Sequence, residues 1–265
     1  MNNFELFGIL RSFSPGETAK FYKFLISPYF GNKKKIAMLY REIVKYYPLF
    51  THVNLSKRKL SKKVFPKVTY NDSTMRNLIS NLQEAALHFL SIENFERSKF
   101  GKSNFLFHEL NIKGLPNEFW KTIEKADEFR DGLVDWTYFL NSHFTEANKY
   151  NFSHNNSKLH KETDLKKEIS YLNNSVNSLV YFFVMNFTAI YLNYLSYKKS
   201  YNTYAAMHNN IEKLFGMMNF RELKVLMQND KNLFVFEIYS SLIKLFSEPE
   251  SDENYNAFKK VFLSN

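Results

Sequence analysis

A chain of 265 residues, 45% hydrophobic and 18% aromatic, is long enough for one large or two ordinary domains with filled cores, and two is the expectation. Its net charge of +10 raises encounter rates with nucleic acid, anionic membranes or acidic proteins without selecting among them; Lys far outnumbers Arg, which weakens bidentate base reading, and abundant Lys and Asn equally fit a biased genome. The absence of cysteine excludes disulfides, thiolate metal sites and cysteine nucleophiles, while 7 Gly and 6 Pro leave little material for hairpins or phosphate-cradling loops.

Phe4, Phe7 and Leu10 open the chain at helical spacing, with no basic leader or small-residue cleavage site before them. Ser14-Pro15-Gly16-Glu17 then combines an N-cap serine, a proline at the first helical position and a glutamate three residues past the cap. Pro28 stops the helix so begun, and a third helix runs through Ile36, Leu39, Tyr40, Ile43 and Tyr47 to Pro48. Ser56 caps a short basic helix carrying Leu60, Val64 and Phe65. Asn71 or Asp72 caps a long one whose apolar positions, Met75, Leu78, Ile79, Leu82, Ala85, Ala86, Phe89, Leu90 and Ile92, keep the 3.6-residue period. The polar run Glu93 to Lys102, with Gly101, reads as a boundary between an N-terminal helical domain, 1–98, and a helical-hairpin array, 103–265.

Helices are expected at about 103–113, 116–130, 135–148, 163–197, 203–217, 219–227, 231–246 and 252–263. Asn151 to Asn156 reads as a polar loop, and the length of 163–197 predicts a break near Asn173 to Ser178. The apolar run Leu179 to Leu195, interrupted by Asn186, Thr188 and Asn193, falls short of a clean membrane span and reads as a buried helix. The fold class is therefore all-α. Short loops bring consecutive helices together as stacked antiparallel hairpins, an inference from helix succession and not from internal self-similarity.

The runs FYKFLISPYFGNKKKIAMLYREIVKYYPLF and KLSKKVFPKVTYNDSTMRNLISNLQEAALHFL resemble the N-terminal region of a family of uncharacterised Bacteroidetes-type bacterial helical proteins. The resemblance implies a longer helical C-terminal part of tetratricopeptide-like character, no assigned activity, and a chain that could be a fragment. Leu55 to Leu90 also resembles, more weakly, the winged-helix part of bacterial transcriptional activators: a short helix, a Phe-Pro turn and an arginine-containing helix follow in that order. That likeness implies a recognition helix carrying Arg76, Asn77 and Asn81.

The bases Lys33, Lys34, Lys35, Lys57, Arg58, Lys59, Lys62, Lys63 and Lys67 surround this candidate helix-turn-helix. Lysines there suit phosphate contacts, while Arg76, Asn77, Ser80 and Asn81 suit base edges; solvated helix faces also carry such lysines. Of the seven histidines, none pairs at i, i+4 and no His-Glu-x-x-His occurs, so neither metal nor cofactor is expected. Glu124, Asp127, Glu128 and Asp131 make an acidic helix face interleaved with Lys121, Lys125 and Arg130, a pattern of surface ion pairing. Tyr138, Tyr150, Tyr171, Tyr181, Tyr191, Tyr194, Tyr197, Tyr201 and Tyr204 either line a concave peptide-binding face or pack. No catalytic set emerges. The leading expectation is a cytoplasmic, non-enzymatic scaffold holding a protein partner, the alternative a DNA- or RNA-binding regulator using residues 55–97.

Overall fold

The computed structural model describes residues 4–31, 33–128, 134–156, 162–200 and 210–264. Among these residues are thirteen α-helices and no strand. The chain divides into two compact units, Met1–Ser98 and Lys99–Asn265.

In the N-terminal unit, α1 (Phe4–Arg11), α2 (Pro15–Ile26), α3 (Lys34–Val44) and α4 (Lys57–Val64) gather around α5 (Asp72–Arg97). Ser14 starts α2 with a closed capping box: the Glu17 amide donates to Ser14 Oγ at 3.2 Å and the Ser14 amide to Glu17 Oε2 at 2.8 Å. The amide of Ser14 holds the Glu17 carboxyl below its ordinary value. Asn71 caps α5 by accepting from the Thr74 amide at 2.9 Å. Helix α3 stops at Val44, three residues short of the expected Tyr47, because the Tyr46 and Tyr47 amides bond three residues back and tighten the chain into turns. Met75, Leu78, Ile79, Leu82, Ala86 and Phe89 all lie on the buried face of α5, with Phe65 packed against the same core. Phe13, Phe21, Phe24 and Phe89 interlock there with ring centroids 5.2–5.7 Å apart where they meet Phe89, and Tyr40 meets Phe21 edge-on.

The C-terminal unit is built of α6 (Lys99–Ile112), α7 (Pro116–Glu128), α8 (Trp136–Asn156), α9 (Glu162–Ser200), α10 (Asn210–Met217), α11 (Phe220–Met227), α12 (Leu233–Ser247) and α13 (Asp252–Ser264). Gly114, at φ 60°, turns α6 into α7, with the Leu115 amide reaching back to the Leu110 carbonyl. Helices α8 and α9 are antiparallel, as the pairs Phe139–Tyr181, Glu146–Asn174 and Ser153–Glu168 show. Three separate apolar clusters follow: Phe107, Phe119, Ile123 and Phe152 join α6, α7 and α8; Phe139, Tyr181, Val184 and Phe236 join α8, α9 and α12; Phe187, Tyr191 and Ile243 join α9 and α12 near α10.

Several expectations need correction. Asn151 to Asn156 is not a loop but the end of α8, and α9 runs unbroken through Asn173 to Ser178. Tertiary partners overrode weak helix propensity there: Ser175 is buried against His143, and Asn174 and Asn177 bond groups on neighbouring elements. Gly101 sits inside α6, one turn after the division between units. By length and composition α9 is apolar enough to cross a membrane, with mean hydropathy 1.4 over an 18-residue window, although Asn186, Thr188 and Asn193 interrupt the run. Nine of its residues, among them Tyr181, Val184, Met185, Phe187 and Tyr191, are buried within the unit. The beginning of the expected helix 203–217, and Arg130, Asp131, His160, Tyr201, Tyr204 and His208, lie outside the described residues.

Candidate functional site

The basic region folds as α4, a turn through Pro66, and α5. Leu60, Ser61 and Val64 occupy the buried side of α4, so Arg58, Lys59, Lys62 and Lys63 share one exposed arc on the other. At the start of α5, Asp72 collects three partners. Arg76 Nε lies 2.7 Å from one carboxylate oxygen, Lys57 Nζ 3.7 Å from the other, and the Tyr70 hydroxyl donates to that second oxygen at 2.6 Å. The Tyr70 bond first, then the Arg76 and Lys57 charges, hold the Asp72 carboxyl below its ordinary value. Two of the cations assigned to nucleic-acid contact are thus engaged by a carboxylate at the helix start, where a phosphate would otherwise be welcome. Arg58 stacks over Tyr70 at 5.6 Å, and Lys59 donates to Asn54 Oδ1 at 3.2 Å. Asn77 and Asn81 are exposed on α5, a helical turn apart. Lys35 is drawn to the Val64 carbonyl at 3.3 Å and over the Phe65 ring.

A second site, which sequence reasoning did not assemble, lies in the C-terminal unit: a cavity of about 520 Å³ bounded by α8, α9 and the turn from α11 to α12. Asn174 and Asn177 reach it from α9, Asn229, Asp230 and Asn232 from the turn, and Tyr181 forms part of its wall. Asn177 Nδ2 donates to Asp230 Oδ2 at 3.4 Å, and the Asn232 amide donates to Asp230 Oδ1 at 2.8 Å, so the turn is ordered around its own carboxylate. Asn174 Nδ2 donates to Glu146 Oε2 at 3.3 Å, and Glu146 is paired with Lys149 at 2.7 Å. Tyr181 is 1% exposed, and its hydroxyl faces the Asp230 carboxylate without a well-formed hydrogen bond to it. Burial, reinforced by the negative charge of Asp230, pushes its pKa well above the ordinary phenol. A neutral phenol and several carboxamides converge here, groups that donate and accept in equal measure.

The remaining candidates are dispersed. His88 is exposed on α5, edge-on to Phe24 and Phe30; His108 and Glu109 are exposed on α6. His143 Nδ1 is 2.9 Å from Ser175 Oγ, an inter-helix bond, and His154 lies 3.6 Å from Glu168. Among the described residues, no group of three or more His, Asp or Glu side chains is arranged to hold a metal. Of the tyrosine series, Tyr181, Tyr191 and Tyr194 are buried packing residues, Tyr138 also lines the cavity and Tyr197 is exposed. Asp127, from the acidic face of α7, is 3.5 Å from Lys149 of α8 and so ties two helices together. The sequence did carry a sign of the cavity. An Asn- and Ser-rich stretch inside an otherwise apolar helix marks either a break or a polar pocket, and only the Asn229–Asn232 turn, more than fifty residues away, distinguishes them.

No protein-family model, curated protein or solved structure matches this chain.

Proposed function

We propose that the protein is a non-enzymatic helical interaction module of the cytoplasm, and that its C-terminal unit holds an extended segment of a protein partner in the amide-lined cavity between α8, α9 and the α11–α12 turn. The observation that carries this reading is the convergence of the Asn174 and Asn177 carboxamides of α9 with those of Asn229 and Asn232 on one cavity of about 520 Å³. A peptide backbone alternates donors and acceptors, and carboxamides answer both. Stacked helical pairs of tetratricopeptide-like character would supply the rigid walls such recognition needs.

Selection of displayed random peptides on the full chain, followed by titration calorimetry of the selected sequences, tests the proposal. Asn174→Ala and Asn177→Ala should each weaken a selected peptide by about fivefold or more, a loss of roughly 1 kcal/mol. Selected peptides that bind both variants as tightly as the unaltered chain would move the site elsewhere.

A second reading is nucleic-acid binding by residues 55–97, favoured by the exposed arc of Arg58, Lys59, Lys62 and Lys63 on α4 beside Asn77 and Asn81 on α5. In this winged-helix-like reading α5 is the recognition helix, and Arg76 must leave Asp72 before it can reach a base. Fluorescence anisotropy across a salt series decides it: phosphate-driven binding weakens steeply with salt, and no binding at low salt removes the reading.

A further inference from the structure

Helix α9 has two faces with different jobs. Asn174, Asn177 and Tyr181 point to the cavity, while a stripe on roughly the opposite side of the helix carries Leu165, Ile169, Leu172, Val176, Leu179 and Phe183. The steps between those six positions are 4, 3, 4, 3 and 4 residues, the strict alternation of a heptad seam, a narrower stripe than the i, i+3, i+4, i+7, i+8 face of an ordinary surface helix. All six are between 38% and 57% exposed, and Ile190 and Tyr197 farther along α9 are exposed too, whereas Tyr181, Val184, Met185, Phe187, Tyr191 and Tyr194 are buried in the unit. No charged residue interrupts the stripe, whereas Lys166 and Asn173 expose polar groups beside it.

The residue types point to the occupant. With Leu165, Leu172 and Leu179 at d, the a positions are Ile169, Val176 and Phe183, and the same register extends to Ile190 and Tyr197. β-Branched side chains at a with leucine at d favour two parallel strands, since each geometry fits the knob-into-hole angle that the parallel pair presents at that position. A helix on a lipid surface also spaces its apolar residues three and four apart, but it has no use for sorting β-branched residues to one position and leucine to the other. A two-fold axis along the seam sets identical residues against each other, so one stripe supplies both sides of the interface. The six side chains from Leu165 to Phe183, each about half exposed, offer on the order of 500 Å² per copy, about 1,000 Å² in all, the lower bound of a specific interface. Asn186 and Asn193 occupy the d positions beyond Phe183 and confine the apolar core of the seam to 165–183, about 27 Å of helix.

We propose that the chain forms a homodimer in which the α9 helices of two copies pair in parallel along the seam Leu165, Ile169, Leu172, Val176, Leu179 and Phe183. The cavity lies on the other side of α9 and stays accessible in such a dimer, so this proposal stands or falls separately from peptide binding.

Sedimentation equilibrium of the full chain should give twice the 31.6 kDa chain mass at micromolar concentration. The double variant Ile169→Lys/Val176→Lys should shift the monomer–dimer midpoint upward by more than about tenfold in concentration with unchanged circular dichroism, while Asn177→Ala on the cavity side should dimerise as before. Because the chain has no cysteine, Val176→Cys adds a single thiol that a parallel in-register pair places across the axis; under mild oxidation it should cross-link into a covalent dimer. A monomer at all concentrations, a dimer indifferent to the two lysines, or a dimer whose Val176→Cys form never cross-links overturns the proposal. So does flotation of the monomeric chain with phosphatidylcholine–phosphatidylglycerol vesicles that the lysines abolish, which would assign the stripe to a lipid surface.

Discussion

The two units bury their aromatic residues in different ways. In the N-terminal unit, helices α1 to α4 all deliver their apolar faces to one helix, α5, and a single continuous core results, from Leu6 to Phe89. In the C-terminal unit the apolar residues divide into three clusters strung along α8 and α9, with polar and charged groups such as Ser142, Glu146, Glu168 and Thr188 buried between them. Converging helices close a core around themselves, whereas a succession of hairpins leaves polar gaps and uncovered stripes where other molecules can bind. That contrast explains why the cavity and the heptad seam both fall in the second unit and why the first offers mainly charge.

The contrast breaks most visibly at Leu82, which is fully buried at the centre of the N-terminal core. Leu82→Asp removes about 1.5–3 kcal/mol of side-chain burial and adds the desolvation of a carboxylate, so thermal melting should show the N-terminal unit unfolded or severely destabilised. A Leu82→Asp variant that melted normally would mean that the core is not organised around α5. Asn71→Ala, which leaves the Thr74 amide without its acceptor, should cost about 1 kcal/mol and lower the melting midpoint measurably.

The capping box gives a pH dependence of known sign. The folded pKa of Glu17 is depressed, so its contribution is full above the ordinary value of 4.5 and is lost as pH falls through the lower folded value. Ser14→Ala should therefore flatten the acid limb of stability against pH and matter least once Glu17 is protonated. Smallest of all are two changes expected to stay within about 0.5 kcal/mol in a melt: Lys59→Ala, on the exposed arc of α4, and Tyr181→Phe, whose hydroxyl makes no well-formed hydrogen bond to the nearby Asp230. A large loss from Tyr181→Phe would show that the hydroxyl serves the fold, and would sharpen the line between a core residue and a site residue.

Local signals made the first unit readable. Ser14 and Asn71 announce helix starts, and the unbroken period from Met75 to Phe89 names the central helix and its buried side before any packing is known. Long-range signals did the reverse in the second unit. Asn173 to Ser178 resembles a helix break in isolation, because the propensity of asparagine and serine is weak and their partners, His143, Glu146 and Asp230, come from distant segments. The heptad stripe of α9 is present in the sequence, hidden by overlap with a second apolar face that packs against α8 and α12. Of the basic site, the placement of Lys59, Lys62, Lys63, Asn77 and Asn81 on exposed faces follows from the helical period. The Asp72–Arg76 pair follows from the same period, being four residues apart on α5, whereas the capture of Lys57 by Asp72 depends on the turn geometry that brings α4 to the start of α5.

The polar rungs between α8 and α9 have one more effect. Greasy side chains are indifferent to sliding, and two long helices packed through them alone could settle a turn out of alignment, about 5.4 Å along the axis. Such a slip would part Asn174 from Glu146 and His143 from Ser175, and would take Ser153 and His154 away from Glu168, whose carboxylate is 6% exposed. Removing the partners of a buried charge costs about 3–5 kcal/mol. The rungs therefore act as a vernier: they admit one alignment of the hairpin, and with it one spacing between the residues of α9 and everything docked on either side of it.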